Sequence, residues 1–212
     1  MTLPNSGLIT VNDRGARAAT TFGSVAAAGG NMVFIKKLTA SSSGTLSFVD
    51  GSAGVVLDGT YKEYVFTFNN IHPASNAGRL SFQTSTDTGS NYGVTLTSTA
   101  FEAYHDEDDS PATLGYAPSL DIAQGTGFQS LTAGPGNDND QCVAGTLRLF
   151  NPSSTTFVKH WISDVQEAYH ADFSTRSMQA GYFNTTSAID AVQFKMHSGN
   201  MDVGDICLYG IL

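Results

Sequence analysis

Two acidic runs hold the residue types best suited to chemistry in this chain: Asp106-Glu107-Asp108-Asp109, and Asn137-Asp138-Asn139-Asp140 at the end of a longer polar stretch. Alternating carboxylates and amides are oxygen donors for a hard cation such as calcium. Asp138 and Asp140 are the calcium candidates this pattern offers. The spacing does not match an EF-hand loop, which wants a central glycine and a distal glutamate, so solvated turn acids that guard neighbouring strand edges are the favoured reading. No metal and no cofactor is expected.

Other chemistry is scattered. The five histidines are His72, His105, His160, His170 and His197. No two stand at the separations that place ligands on one strand or helix face. A four-residue echo, Glu102-Ala103-Tyr104-His105 and later Glu167-Ala168-Tyr169-His170, is read as marking equivalent strand ends in two halves of a sandwich. It would let His105 and His170 approach each other. Glu63, Glu102 and Glu167 could pair across strands, yet nothing marks any two as sharing a cleft, and there is no G-x-S-x-G nucleophile elbow. Catalysis is not expected. Sugar binding needs exposed aromatic faces beside amides, for which Tyr92, Tyr104, Tyr116, Trp161 and Tyr169 with Asn91, Gln129 and Asn137 are candidates. The competing expectation places these aromatics, Trp161 above all, in a core or subunit contact.

The elements that position these residues read as strands. Of 212 residues, 41% are hydrophobic and 14% charged, with 22 glycines, a composition for a folded chain of short strands and many turns. Apolar residues alternate at Val33/Ile35, Leu46/Phe48, Tyr64/Phe66/Phe68, Leu80/Phe82, Val192/Phe194/Met196 and Ile206/Leu208. That is the period of a strand with one buried face. Turn residues fall between them at Asp50-Gly51, Asp58-Gly59, Asn76-Ala77-Gly78, Thr88 to Asn91, Asn151-Pro152 and Ser198 to Asn200. About ten strands are expected, closing as an all-β antiparallel β-sandwich of jelly-roll type over residues 32–212. The stretch from Asp106 to Asp140 is expected as one long loop with extra short strands or turns at Leu120 to Ala123 and Phe128 to Leu131.

Residues 1–31 differ. Ala16 to Gly30 is mostly Ala, Gly, Thr and Ser and cannot build a core of its own. Its few apolar residues, Leu3, Leu8, Ile9, Phe22 and Val25, gain most by docking on a neighbouring subunit. This makes residues 1–31 a candidate extended N-terminal anchoring arm, with Ala16 to Ala28 able to hold a short helix.

The bulk charge narrows the partners. Ten Lys and Arg against nineteen Asp and Glu leave a net charge of −9, which disfavours nucleic acid and anionic membrane surfaces. No apolar run approaches the ~18 residues needed to span a bilayer, so no membrane insertion is expected. Cys142 and Cys207 lie in separate apolar segments and read as buried thiols in a protein made in a reducing cytoplasm.

Phe150-Asn151-Pro152-Ser153-Ser154-Thr155-Thr156-Phe157-Val158-Lys159-His160 and Ala180 to Ile189 read as strand, tight polar loop, strand. These blocks, with Phe34 to Ala40, Gly44 to Asp50, Tyr61 to Asn69, Gly89 to Tyr92, Gly136 to Asp140, Ser198 to Met201 and Leu208 to Ile211, resemble a β-domain of tail-fibre-like virion proteins from marine bacteriophages of the cyanophage and pelagiphage type. Leu3-Pro4-Asn5-Ser6-Gly7-Leu8-Ile9-Thr10 is similar to the opening of many phage tail-associated proteins. The resemblance implies a virion structural protein, assembled in the host cytoplasm, with other tail or capsid proteins as partners. A tail fibre or tail appendage predicts a homo-oligomer, a trimer above all, whose outward loops Asp106, Glu107, Asp108, Asp109 and Asn137, Asp138, Asn139, Asp140 meet a host glycan or protein. A capsid-decorating protein and a free carbohydrate-binding module are the alternatives.

Overall fold

A computed structural model describes residues 31–212. Strand β3 (Glu63–Pro73) shows how the sequence builds it. Tyr64, Phe66 and Phe68 point one way into the core, while Val65 and Thr67 point the other way, and β-branched and aromatic residues at every position favour the pleat. The strand is interrupted where Asn70 takes a left-handed backbone (φ 52°) and the pairing slips between Phe68 and Ile71, as at a β-bulge.

Eleven further strands occupy the described residues: β1 (Met32–Thr39), β2 (Leu46–Val49), β4 (Leu80–Ser85), β5 (Leu96–Asp106), β6 (Ala112–Tyr116), β7 (Gln129–Ser130), β8 (Val143–Phe150), β9 (Lys159–Tyr169), β10 (Phe173–Phe183), β11 (Ala191–Met196) and β12 (Met201–Ile211). They form an eight-stranded sheet in the order β1-β12-β3-β8-β9-β10-β5-β6 and a four-stranded sheet in the order β2-β11-β4-β7. All paired neighbours are antiparallel. The expected all-β sandwich is therefore present. A jelly roll has eight strands over its two sheets; twelve divide eight and four here, and the fold is described as a β-sandwich.

The small sheet packs its apolar residues onto the β3 side of the large one. Phe194 on β11 is the hub, 5.2 Å from Phe66 and 5.4 Å from Phe68 between ring centres, edge-on to Phe48 and stacked with Phe82. Phe82 in turn meets Trp161 edge-on at 5.1 Å and Phe183 at 5.8 Å. Each buried aromatic removes about 150–250 Å² from water, and this cluster is the main source of stability.

The long loop expected between Asp106 and Asp140 is corrected. It contains β6, which was not expected and hairpins back along β5 through the acidic tip; β7, which adds to β4, is the short element expected at Phe128 to Leu131. The turn falls at residues 118–119 and residues 120–123 are irregular; Leu120 packs with Ala100 and Ala117 in a small satellite cluster. Cys142 and Cys207 are free thiols. Cys142 is only partly buried, so the expected buried pair holds for Cys207 alone. The arm residues Leu3, Leu8, Ile9, Phe22 and Val25, and the short helix expected over 16–28, lie outside the described residues.

Candidate functional site

Strands β5, β10 and β9 run side by side in unbroken register over eleven residues, so their inward side chains form rows. Where the four-stranded sheet does not reach, the rows turn polar. Ser163, Thr175, Ser177, Gln179 and Glu167 are buried there, and Glu102 stands opposite Ser177. What covers them is residues 117–134, largely irregular backbone, whose peptide groups lose water when they pack down and must find partners.

Buried amides and charges supply those partners. Gln129 donates to the Leu120 carbonyl at 2.6 Å and to Gln179 Oε1 at 3.1 Å, and its own Oε1 accepts from Ser98 at 2.7 Å. Ser98 Oγ in turn accepts the Ile122 N–H. Gln83 donates to the carbonyls of Val94, Thr126 and Gly127. Arg79 donates from Nε to Ala133 and from Nη1 to Ser119.

Glu167 is the centre of this layer, 1% exposed. Its Oε1 accepts the Ala133 N–H at 2.7 Å, and both its oxygens lie 3.3 Å from the Gly134 nitrogen. Burial pushes its carboxyl up to about 7, against the opposing pull of those two N–H groups; the negative charge of Glu102 adds to the rise and Arg79 resists it. Burial also raises Glu102, with Arg79 acting the other way. Glu102 Oε1, Ser163 Oγ, Ser177 Oγ and Gln179 Nε2 are buried without a hydrogen-bond partner among the described residues.

The sequence echo thus has a structural meaning, different from the one expected. Glu102 and Glu167 sit on strands that flank β10 in one sheet, facing the same interior, not at matching ends of two halves. Two carboxylates facing one interior are the raw material of acid–base chemistry, but Glu167 is sealed beneath residues 133–134. His105 and His170 are held by different groups: His105 Nε2 lies 3.1 Å from Asp109, whereas His170 Nδ1 donates to the Gly134 carbonyl. Among the described residues, no three of His, Cys, Asp and Glu gather as metal ligands.

The acidic runs come to the same end of the large sheet. Asp106 pairs with Phe173, Phe173 pairs with Tyr169, and Pro135 bridges to Tyr169, so Asp106–Asp109 and Asn137–Asp140 flank the turn from β9 to β10. Glu107, Asp108, Asp109, Asn137, Asp138, Asn139 and Asp140 are all exposed. Local bonds hold the two turns: Asp106 Oδ1 accepts the Asp108 N–H, and the Asp138 carbonyl accepts the Gln141 N–H and the His72 ring N–H. Asp138 and Asp140 stand exposed on this turn.

The aromatic residues expected near sugar do not assemble into one surface. Trp161 and Gln129 are fully buried. Tyr104 and Tyr169 both pack on Phe173, Tyr92 lies over Gly89, and Tyr116 donates its hydroxyl proton to Asp121.

Outside, the large sheet carries exposed apolar residues that sequence reasoning missed, standing on either side of a buried Val65 and a charged Arg148. The pairings place Phe34, Tyr209, Val65, Arg148, Ile162, Ala180 and Thr99 in one outward row across seven strands. Phe101 and Tyr116 meet edge-on beside it, and Leu114 on edge strand β6 is 71% exposed. The signal was present as the second phase of each alternating strand, hidden behind the stronger inward phase. No family model, no curated protein and no solved structure matches this chain.

Proposed function

We propose that this chain is a bacteriophage virion structural protein, a tail-fibre or tail-appendage component that works by assembly and surface contact and not by catalysis. The observation that carries the reading, beside the resemblance over residues 32–212, is the set of large apolar side chains left exposed on the outer face of the large sheet, Phe34 at the β1 edge and Phe101, Leu114 and Tyr116 at the β5–β6 edge. Large apolar side chains left exposed at the two edges of a sheet fit a subunit contact. Strand β6 adds an edge with no charged residue to discourage pairing. On this reading the exposed apolar residues of the β1 edge (Phe34) and of the β5–β6 edge (Phe101, Leu114, Tyr116), with residues 1–31, face other virion subunits, a homotrimer being the favoured state. The acidic turns at the end where β9 meets β10 then face outward to the host.

The test is mass spectrometry and labelled imaging of purified particles of the virus that encodes it, with light scattering of the isolated chain. A few copies at the tail and a trimeric mass are the expected result. Hundreds of copies over the head would make it a capsid-decorating protein, and absence from particles would end the virion reading.

A further inference from the structure

At the opposite end of the large sheet from the acidic turns, the outer face dips into a shallow depression of about 390 Å³. Its floor is Ala180, which stands in register with Thr99 on one side and Ile162 on the other. A small residue between larger ones leaves a trough. Tyr182 and His160 close one end, cross-strand neighbours with ring centres 6.2 Å apart. The walls are carbon-rich, and no carboxylate or permanent cation lines the trough.

Beside it stands a polar rim assembled from three separate parts of the chain. The Gln124 side-chain amide donates to Thr97 Oγ1 at 2.6 Å and to Tyr182 Oη at 3.5 Å, and its oxygen accepts from Asn184 Nδ2 at 2.9 Å. The Gln124 backbone N–H also bonds Thr97 Oγ1. Gln124 holds a left-handed backbone, φ 49°, a conformation that costs a non-glycine residue on the order of 1 kcal/mol and persists only where the surroundings fix it. Here the two Leu96–Gly125 backbone bonds on one side and the bonds of Ile122 with Ser98 on the other fix it. The network leaves the hydroxyl protons of Thr97 and Tyr182, and one N–H and the carbonyl oxygen of Asn184, to bond a ligand.

An apolar trough ending in aromatic rings, beside neutral donors and acceptors already set in place, matches a molecule with one C–H face and an edge of hydroxyls. We propose that this trough is a binding site for a neutral glycan, with a pyranose ring over Ala180 against Tyr182 and His160 and its hydroxyls on Thr97, Gln124 and Asn184. Asn184 also lines a second, polar depression of about 330 Å³ with Asn91 and Thr95, which gives a path for the next sugar. The absence of a cation from the trough and the net charge of −9 select neutral over acidic sugars. The proposal rests on the virion reading only for the source of the glycan, a host surface.

The test uses the full chain, isotope-labelled, titrated with cellobiose, maltose, lactose and N,N′-diacetylchitobiose and followed by NMR. At least one should bind with a dissociation constant of about 1 mM, moving the signals of Thr97, Gln124, His160, Tyr182 and Asn184 together. Ala180→Leu should fill the trough from an outward position, and Gln124→Ala should dismantle the rim. Each should weaken binding about tenfold or more while the remaining spectrum stays that of the folded protein. No localised shift with any of the four sugars, shifts centred elsewhere, or full binding by either variant would overturn the site. Sugar binding by a chain that is missing from particles would keep this site and remove the virion reading; a tail protein that binds none of the four would do the reverse.

Discussion

Two interiors share the large sheet and are built on opposite chemistry. Between the four-stranded sheet and the large one lie Phe48, Phe66, Phe68, Phe82 and Phe194; between residues 117–134 and the large sheet lie Gln129, Gln179, Ser177 and Glu167. The difference follows from what covers each. A sheet arrives with its peptide groups already paired, so apolar side chains can fill the gap. An irregular segment arrives with unpaired carbonyls and N–H groups, and the strands beneath must answer with amides, hydroxyls and charge. The polar interior also keeps partnerless buried atoms, which lowers its local stability relative to the aromatic one.

The largest effect should come from the aromatic side. Phe194→Ala removes the ring that touches four others and should cost about 3–5 kcal/mol in urea unfolding. A smaller loss would mean that the aromatic side is not the main source of stability.

Glu167 tests the polar side through pH. Its carboxyl is raised from 4.5 to about 7, so between those values the folded chain keeps a proton that the unfolded chain releases. The stabilisation is complete below about 4.5, falls as pH rises through the window, and is gone above about 7; the fall is about 3 kcal/mol. Glu167→Gln should flatten that decline and be the more stable protein at pH 8. An unchanged slope would assign the pH dependence to another group.

Gln129→Leu should cost about 2 kcal/mol by orphaning the Leu120 carbonyl and the Ser98 hydroxyl. Hydrogen exchange should quicken over residues 117–134 and remain slow in β3 and β11. If both interiors loosen together, they are one cooperative unit.

The smallest change belongs to Lys159, a buried charge at the edge of the aromatic side whose ammonium donates to the Thr185 carbonyl and whose pKa burial lowers. Lys159→Met should leave stability within about 1 kcal/mol or raise it. A large loss would show that the aromatic side depends on that charge.

The aromatic interior was legible in the sequence and the polar one was not, for the same reason. Tyr64/Phe66/Phe68 and Val192/Phe194/Met196 alternate in hydrophobicity, so their strands and buried faces are visible. In β10 the inward residues Thr175, Ser177 and Gln179 are as polar as the outward Ser174 and Arg176, and alternation disappears although the strand is regular. Edge strand β6 is exposed at all five residues and has no buried face to reveal it. Glu102 and Glu167 were noticed through their repeated context, but their shared interior depends on β10 lying between them, a long-range pairing that no local pattern encodes. The trough is hidden for a related reason: Thr97, Gln124 and Tyr182 meet only after three distant segments are brought together.

Strand order carries one more consequence. β12 lies between β1 and β3, and β11 lies between β2 and β4, so the early strands β1 and β2 pair with strands made late. Until they clear the ribosome, β1, β2, β3 and β4 wait with open edges, a state that is slow to resolve and prone to wrong pairing. A chain cut short before β11 would leave β1 and β2 without these partners and β3 and β4 each open along one edge.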